Sequence, residues 1–266
     1  MICASCDAPL PKGRMRCGNP KCKAWNIAHE SGEEATVLLS DARLLEVQRF
    51  QTGLVDEAFG GGIARTSVAL LGGDPGAGKT TLCLQLADLF AQREGKEVLY
   101  IANEQEASEL KAMAERLELK AKERIRIVKG MGGLRDDLGD IILRFSPCLL
   151  ILDSVTKWSG DDPRVAVTIC MRLKDYSVRL TAPALVINQI CKSGDHHGLN
   201  QMQHAVDTTL LFYPDDEGPA TRRVLYTHKN RFGPAPTQQF LEMTPRGLVP
   251  ATMPSLDDEE APESEV

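Results

Sequence analysis

Apolar runs of strand length alternate with segments of helical length along the middle of the chain. Five apolar runs predict strands, at residues 68–71, 98–101, 125–128, 149–152 and 184–187. Apolar residues recur at helical spacing between them, in residues 79–93, 105–119, 134–144 and 164–180. Continuous apolar strands that alternate with helices indicate a parallel sheet covered on both faces. The predicted fold class is therefore α/β, with a mainly parallel central sheet.

Two later runs have a different pattern, because only a turn-rich segment separates them. Residues 208–213 and 223–227 are rich in β-branched and aromatic side chains, and the sequence PDDEGPAT lies between them. We expect an antiparallel hairpin at the far edge of the sheet. Residues 251–266 contain mostly Pro, Ser and acidic residues, which predicts a disordered acidic tail.

The amino-terminal part has a separate composition. Residues 1–30 are rich in Cys, Lys, Arg, Gly and Pro and are too few to build a hydrophobic core, so they require a metal to fold. We interpret residues 1–30 as a small zinc finger, 31–50 as a linker and 51–250 as the main domain.

Composition and charge narrow the functional classes. Of 266 residues, 42% are hydrophobic and 26% charged, which excludes collagen-like, mainly disordered and disulfide-scaffold proteins. No apolar run is long enough to span a membrane, so we expect a cytoplasmic protein with no membrane partner. The net charge is −6, but six acidic residues lie in the last ten positions, and the first thirty residues carry a basic excess. The charge therefore does not exclude DNA as a partner.

The segment GDPGAGKT fits the phosphate-loop pattern and follows a predicted strand at the start of a predicted helix. Its glycines allow backbone N–H groups to point at phosphate oxygens, and the helix N-terminus adds partial positive charge. Lys79 would reach the β- and γ-phosphates of ATP, and Thr80 would bind Mg²⁺. The candidate ATP-binding residues are Gly73, Asp74, Pro75, Gly76, Ala77, Gly78, Lys79, Thr80 and Thr81.

Three polar residues follow predicted strands and complete the candidate catalytic set. Asp153 ends the strand at 149–152, where a carboxylate can hold Mg²⁺ through water. Glu104 follows the strand at 98–101 and could activate the attacking water, although Glu106 or a role as a helix N-terminal acid are alternatives. Gln189 follows the strand at 184–187 and could sense the γ-phosphate through its amide.

Four cysteines form two closely spaced pairs, Cys3-x-x-Cys6 and Cys17-x-x-x-x-Cys22. Four thiolates are a suitable ligand set for a structural Zn²⁺ and leave no open position for catalysis. Unliganded cysteines and an iron–sulfur cluster are the alternatives.

With these motifs in order, the sequence resembles the RadA/Sms family of bacterial DNA repair ATPases in the RecA superfamily. The resemblance covers residues 1 to about 250. The cysteine pairs are followed by CKAWN, GGGI, LLGGDPGAGKTTLCLQLA and then KNRFG at residues 229–233, the sequence that marks this family. The match implies a RecA-like P-loop ATPase core and a short form of the family, because its Lon-protease-like domain has no counterpart here.

The resemblance also implies how the chain works with DNA. The family forms hexameric rings with ATP between subunits, so Lys229 and Arg231 would reach the neighbour's phosphates. Single-stranded or branched DNA would pass two loops that contain the candidate contacts Lys157, Trp158, Arg164 and Lys192, with Trp158 stacking on a base. The sequence departs from the family's pattern at two of these motifs. The second cysteine pair is separated by four residues, and INQICKSG is the sequence at the end of the fifth predicted strand and after it.

Three functional hypotheses follow. The first is a DNA-dependent ATPase that translocates on single-stranded DNA as a helicase in recombination, repair or replication. The second is a nucleotide-gated adaptor or recombination mediator that docks on a replicative helicase or recombinase. The third is RecA-like strand exchange, which the zinc finger and KNRFG disfavour.

Overall fold

The computed structural model describes residues 3, 8, 17, 19–22, 46–129, 134–188 and 197–252. Their strands are β1 Arg49–Phe50, β2 Ile63–Ala64, β3 Val68–Gly73, β4 Val98–Ala102, β5 Ile125–Lys129, β6 Leu149–Asp153, β7 Ala184–Ile187, β8 Thr208–Pro214, β9 Arg222–Asn230, β10 Thr237–Thr244 and β11 Gly247–Pro250. Their α-helices are α1 Lys79–Glu94, α2 Ala107–Arg116, α3 Leu134–Phe145, α4 Val155–Ser159, α5 Pro163–Leu180 and α6 His197–Ala205.

The chain separates into two units. The first contains Met1–Gln48 and Met131–Ser146, and the second contains Arg49–Gly130 and Pro147–Val266. Helix α3 belongs to the first unit, and all the other helices and strands named above belong to the second. The sheet and the candidate nucleotide site are therefore properties of the second unit alone.

A nine-stranded sheet runs in the order β11-β10-β9-β8-β3-β7-β6-β4-β5. All pairings from β8 to β5 are parallel. Every residue of β3, β4, β6 and β7 is buried, as expected for strands that are covered on both faces. The predicted α/β fold with a mainly parallel central sheet is confirmed, and the carboxyl ends of these four strands share one edge.

The hairpin expectation needs one correction. Strands β8 and β9 do pair antiparallel, as predicted, but they are not the edge of the sheet. Strand β10 pairs with β9 and β11 pairs with β10, both antiparallel. The hairpin is therefore covered on its outer side by two strands that the hydrophobic pattern did not predict.

Helix α1 packs its apolar residues on one face of the sheet. Leu82, Leu86 and Phe90 are almost completely buried in one cluster with Tyr100 of β4 and Ile151 of β6. A glycine in the left-handed backbone conformation caps this helix at each end, with φ of 106° at Gly78 and 63° at Gly95.

Across the described part of the chain, no helix combines the length and the apolar character that a membrane crossing requires.

Strand β10 is joined to the segment before β2 by one buried side chain. Gln239 is 7% exposed, its Nε2 donates to the carbonyl of Leu54 (2.8 Å), and its Oε1 accepts from the N–H of Ala58 (3.0 Å). These bonds satisfy two backbone groups that have little access to water.

We expect Gln239→Leu to lower the free energy of unfolding by about 2 kcal/mol, because the substitution leaves two buried backbone groups without partners. Urea denaturation followed by circular dichroism measures the loss. The matched control is Gln238→Leu at the exposed neighbouring position of β10. Equal stabilities for the two variants would contradict the assigned role of Gln239.

Candidate functional site

The phosphate-loop sequence lies where the pattern predicts it, between β3 and α1. Gly73, Gly76 and Gly78 all have positive φ, at 146°, 79° and 106°. A Cβ on Gly73 would lie 1.9 Å from the carbonyl oxygen of Phe212 in β8. Glycine is therefore required at this position by the close approach of two strands as well as by φ.

The antiparallel strands support the loop from its other side. Arg223 of β9 donates from Nε to the carbonyl of Ala77 (3.1 Å). A Cβ on Gly78 would lie 2.5 Å from Cε of Met243 in β10. The sequence analysis did not predict that Arg223 and Met243 contribute to the site, because neither residue belongs to a phosphate-loop motif.

Lys79 is the first residue of α1 and is only 7% exposed. Its Nζ donates to the carbonyls of Gly73 (2.6 Å) and Asp74 (2.8 Å), so its ammonium lies within the loop. Burial lowers the pKa of Lys79, and the carboxylates of Asp153 and Glu104 oppose that shift. The loop thus holds a desolvated cation, which is suited to binding an anion.

Asp153 ends β6 and lies under the start of α1 with 4% of its surface exposed. Its Oδ2 accepts hydrogen bonds from the hydroxyls of Tyr100 (2.7 Å) and Thr80 (3.1 Å). Burial raises the pKa of Asp153, and the hydrogen bond from Tyr100 is the largest opposing effect. Burial also raises the pKa of Tyr100 well above its usual range, so this hydroxyl remains a donor.

Glu104 follows β4, beside Asp153, because Ala102 pairs with Asp153 in the parallel register. The hydroxyl of Ser154 donates to Oε1 of Glu104, and Ser154 itself is completely buried. The side chain of Glu104 is exposed. A carboxylate held at the rim of the site can reach a water molecule there.

Glu106, the alternative to Glu104, has structural partners. Its side chain takes part in a capping box with Glu109 at the start of α2. Its Oε2 also lies 2.5 Å from Nζ of Lys129 in an exposed ion pair. The geometry therefore favours Glu104 over Glu106 as the carboxylate of the site.

The oxygen atoms at this edge suit Mg²⁺. The Thr80 hydroxyl and the Asp153 carboxylate are hard donors of the kind that this ion prefers, and they lie 3.1 Å apart. Nearby, Oδ1 of Asn103 and Oε1 of Gln105 are buried without a hydrogen-bond partner among the described residues. Unsatisfied buried oxygens beside Glu104 fit a site that binds a polar ligand.

Gln189 and Lys192 lie outside the described residues, so the roles expected of them stay predictions. The preceding residue, Asn188, is 7% exposed, and its Oδ1 accepts from the hydroxyl of Thr156 in α4 (2.7 Å). This bond joins the end of β7 to the helix that follows Asp153.

Lys229 and Arg231 lie far from the phosphate loop of their own chain. Lys229 pairs with Thr209, which pairs with Leu70, three residues before Gly73. Three residues of strand correspond to about 10 Å. These cations therefore lie toward the opposite end of the strands from the phosphate loop.

Both cations contact the end of α6 and the residues after it. The Nζ of Lys229 donates to the carbonyls of Gln203 and Val206, the latter at 2.8 Å. Arg231 donates to the carbonyl of His204 (3.4 Å), and its NH1 lies 3.5 Å from Oδ1 of Asp207. Burial and the neighbouring guanidinium lower the pKa of Lys229.

The other residues of KNRFG form a packed turn. Oδ1 of Asn230 accepts from the N–H of Phe232 (3.0 Å), and the carbonyl of Phe232 accepts from Arg49. A Cβ on Gly233 would lie 3.1 Å from Cα of Gly60. The two glycine-containing motifs, KNRFG and GGGI, therefore pack against each other.

The candidate DNA contacts differ in exposure. Lys157 in α4 and Arg164 in α5 are exposed, as a contact with a phosphate backbone requires. Trp158 is only 7% exposed. Its ring is not presented at the surface for base stacking in this structure, so we correct that expectation. Trp158 belongs to the buried side of α4, together with Val155 and Ser159.

Three of the four predicted zinc ligands are described, and they converge. The sulfur atoms of Cys3, Cys17 and Cys22 lie within 4.8 Å of one another, with 3.8 Å between Cys3 and Cys22. Sulfurs around a tetrahedral Zn²⁺ at bond lengths of about 2.3 Å are separated by about 3.8 Å. The residues present therefore fit this metal. The fourth predicted ligand, Cys6, lies outside the described residues.

Comparisons with known proteins agree with these features. A family model described as "ATPase: KaiC" matches residues 50–128. The DNA repair protein RadA of Aquifex aeolicus (strain VF5) is 29% identical over 274 residues, which cover 96% of this chain and 60% of that protein. The DNA repair protein RadA of Chlamydia pneumoniae is 30% identical, over 95% of this chain and 59% of that protein. This chain thus spans about 60% of the length of these relatives.

A solved structure supports the fold. The crystal structure of a KaiC-like protein from Pyrococcus horikoshii OT3 matches with a TM-score of 0.66 and 18% identity, covering 78% of this chain and all of that one. This likeness shows the RecA-like, KaiC-type fold. Over most of its length the chain is thus similar to proteins named DNA repair protein RadA, and its residues 50–128 match a KaiC-type ATPase model.

Proposed function

We propose that this chain is a DNA-dependent ATPase of DNA repair and recombination, which forms a ring and translocates on single-stranded or branched DNA. The observation that carries the proposal is the buried Asp153 carboxylate, hydrogen-bonded to Thr80 beneath a phosphate loop that already holds the Lys79 ammonium. The RadA homology supports the link to DNA repair.

In this proposal each residue of the site has a separate role in ATP hydrolysis. The backbone of the Gly73–Thr81 segment and the Lys79 ammonium bind the phosphates. Thr80 and Asp153 hold Mg²⁺, which when bound supplies positive charge to the phosphates. Glu104 accepts a proton from the attacking water, and Ser154 orients its carboxylate. Gln189, which follows β7 in the sequence, senses the γ-phosphate.

Lys229 and Arg231 act on the neighbouring subunit in this proposal. Their distance along the sheet from their own phosphate loop supports a role in trans. A cation that approaches the γ-phosphate stabilises the charge of the transition state. A cation that moves toward the γ-phosphate would release its hydrogen bonds to the carbonyl groups at the end of α6. DNA contacts at Lys157, Arg164 and Lys192 complete the proposal.

We also propose that Cys3, Cys6, Cys17 and Cys22 hold a structural Zn²⁺ that folds the amino-terminal segment. The sulfur spacing of the three described ligands supports this assignment.

We expect single-stranded DNA to increase ATP hydrolysis severalfold and Lys79→Ala to lower hydrolysis by about a hundredfold, because the substitution removes the only side-chain cation that the phosphate loop itself contributes. A coupled assay of ADP release measures both effects. Lys96→Ala, at an exposed position after α1, is the matched control and should retain both rates. A wild-type rate that DNA leaves unchanged would refute the motor and favour a nucleotide-gated adaptor.

Mixing two inactive variants tests the role in trans. We expect Lys229→Ala and Lys79→Ala to be inactive alone and to recover activity when they are mixed in equal amounts. In rings that contain both variants at random, about one quarter of the interfaces combine an intact phosphate loop from one subunit with an intact Lys229 from its neighbour. ADP release after co-incubation with single-stranded DNA measures the recovery. No recovery, from variants that circular dichroism shows to be folded, would rule out action across an interface.

We expect about one zinc ion per chain, and less than half of that after Cys22→Ser, because a site with three thiolates binds zinc less tightly. Elemental analysis of purified protein measures the content. Cys170→Ser replaces a buried cysteine of α5 and should keep its zinc. Iron with visible absorption in the wild type would instead identify an iron–sulfur cluster.

A further inference from the structure

Tyr100 lies beneath the candidate Mg²⁺ site in the middle of β4. It pairs with Ile151 of β6 in the parallel register, two residues before the level of Asp153. Because side chains alternate between the faces of a sheet, Tyr100, Ile151 and Asp153 all lie on the same face. Helix α1 packs over this face, and Tyr100 is completely buried there.

The hydroxyl of Tyr100 reaches diagonally to the Asp153 carboxylate. It donates to Oδ2 at 2.7 Å, which is the shorter of the two hydrogen bonds that this oxygen accepts. The second donor, Thr80, belongs to α1. The carboxylate is thus held from the strand below and from the helix above, and rotation about its Cβ–Cγ bond would stretch both bonds.

Both donors use the same oxygen of Asp153, so neither of them occupies Oδ1. A magnesium ion tolerates little deviation from octahedral geometry, and the groups that orient its ligands strongly affect its affinity. Because the Asp153 carboxylate is already oriented, less conformational entropy is lost when Mg²⁺ binds.

We propose that Tyr100 is a positioning residue that fixes the Asp153 carboxylate for Mg²⁺-dependent binding of ATP. This inference rests on the proposed function, because it assigns a role to Tyr100 in the same site. Tyr100 belongs to the apolar cluster beneath α1, whereas its hydroxyl makes the hydrogen bond to Asp153, so the hydroxyl is the part of the side chain that serves the site.

Tyr100→Phe removes this hydroxyl and keeps the ring. We expect the gain in ATP affinity on adding Mg²⁺ to fall by about tenfold, as for other groups that orient a metal ligand. The affinity in EDTA should remain that of the wild type, because the phosphate loop is intact. Titration with a fluorescent, non-hydrolysable ATP analogue, in Mg²⁺ and in EDTA, measures both constants without turnover.

The matched control is Tyr226→Phe in β9, a half-buried tyrosine outside the site, which should leave both affinities unchanged. A loss of affinity in EDTA equal to that in Mg²⁺ would show a general packing defect in Tyr100→Phe and would overturn the proposal.

A double-mutant comparison tests whether Tyr100 acts through Asp153. In an Asp153→Ala background, Tyr100→Phe should reduce the Mg²⁺-dependent affinity no further. An additional tenfold loss there would overturn the proposal. A wild-type protein without Mg²⁺-dependent ATP binding would overturn the proposed function itself, whereas Mg²⁺-dependent binding that is equal in wild type and Tyr100→Phe would overturn only the role of Tyr100.

Discussion

The buried carboxylate of Asp153 is the group on which the rest of the candidate site depends. A charge with 4% exposure is costly unless donors and an opposite charge surround it. Tyr100 of β4 and Thr80 of α1 supply the donors, and Lys79 supplies the charge. The parallel register of β4 and β6 and the position of α1 over them must therefore be maintained together.

The antiparallel strands support the other side of the site and extend it. Residues from β8, β9 and β10 approach the phosphate loop, and Arg223 near the start of β9 donates to it directly. At the other end of β9, Lys229 contacts the end of α6. Six residues of strand separate these two positions, which is about 20 Å. One strand thus connects the ATP side to the cation side, the layout that the proposed ring needs.

Much of this fold was predictable because buried parallel strands have an unmistakable pattern. All five runs of apolar residues form strands, and the glycine-rich loop lies between β3 and α1 as expected. Strands β10 and β11 were not predicted from hydrophobicity. Strand β10, with the sequence TQQFLEMT, lacks a clear alternation, and one of its polar residues, Gln239, is buried through hydrogen bonds to a distant segment. A pattern of apolar residues cannot signal such a position.

The α/β class, the phosphate loop and the strand-end position of Asp153 could all be predicted before the fold was known, because each follows from local spacing. The choice of Glu104 over Glu106 depended on the three-dimensional arrangement, since the capping box and the ion pair of Glu106 depend on its neighbours in space. That arrangement also buried Trp158, and it brought Tyr100 to Asp153 through a register between strands 53 residues apart in the chain. Long-range register is set by packing over the whole sheet, which no local pattern contains.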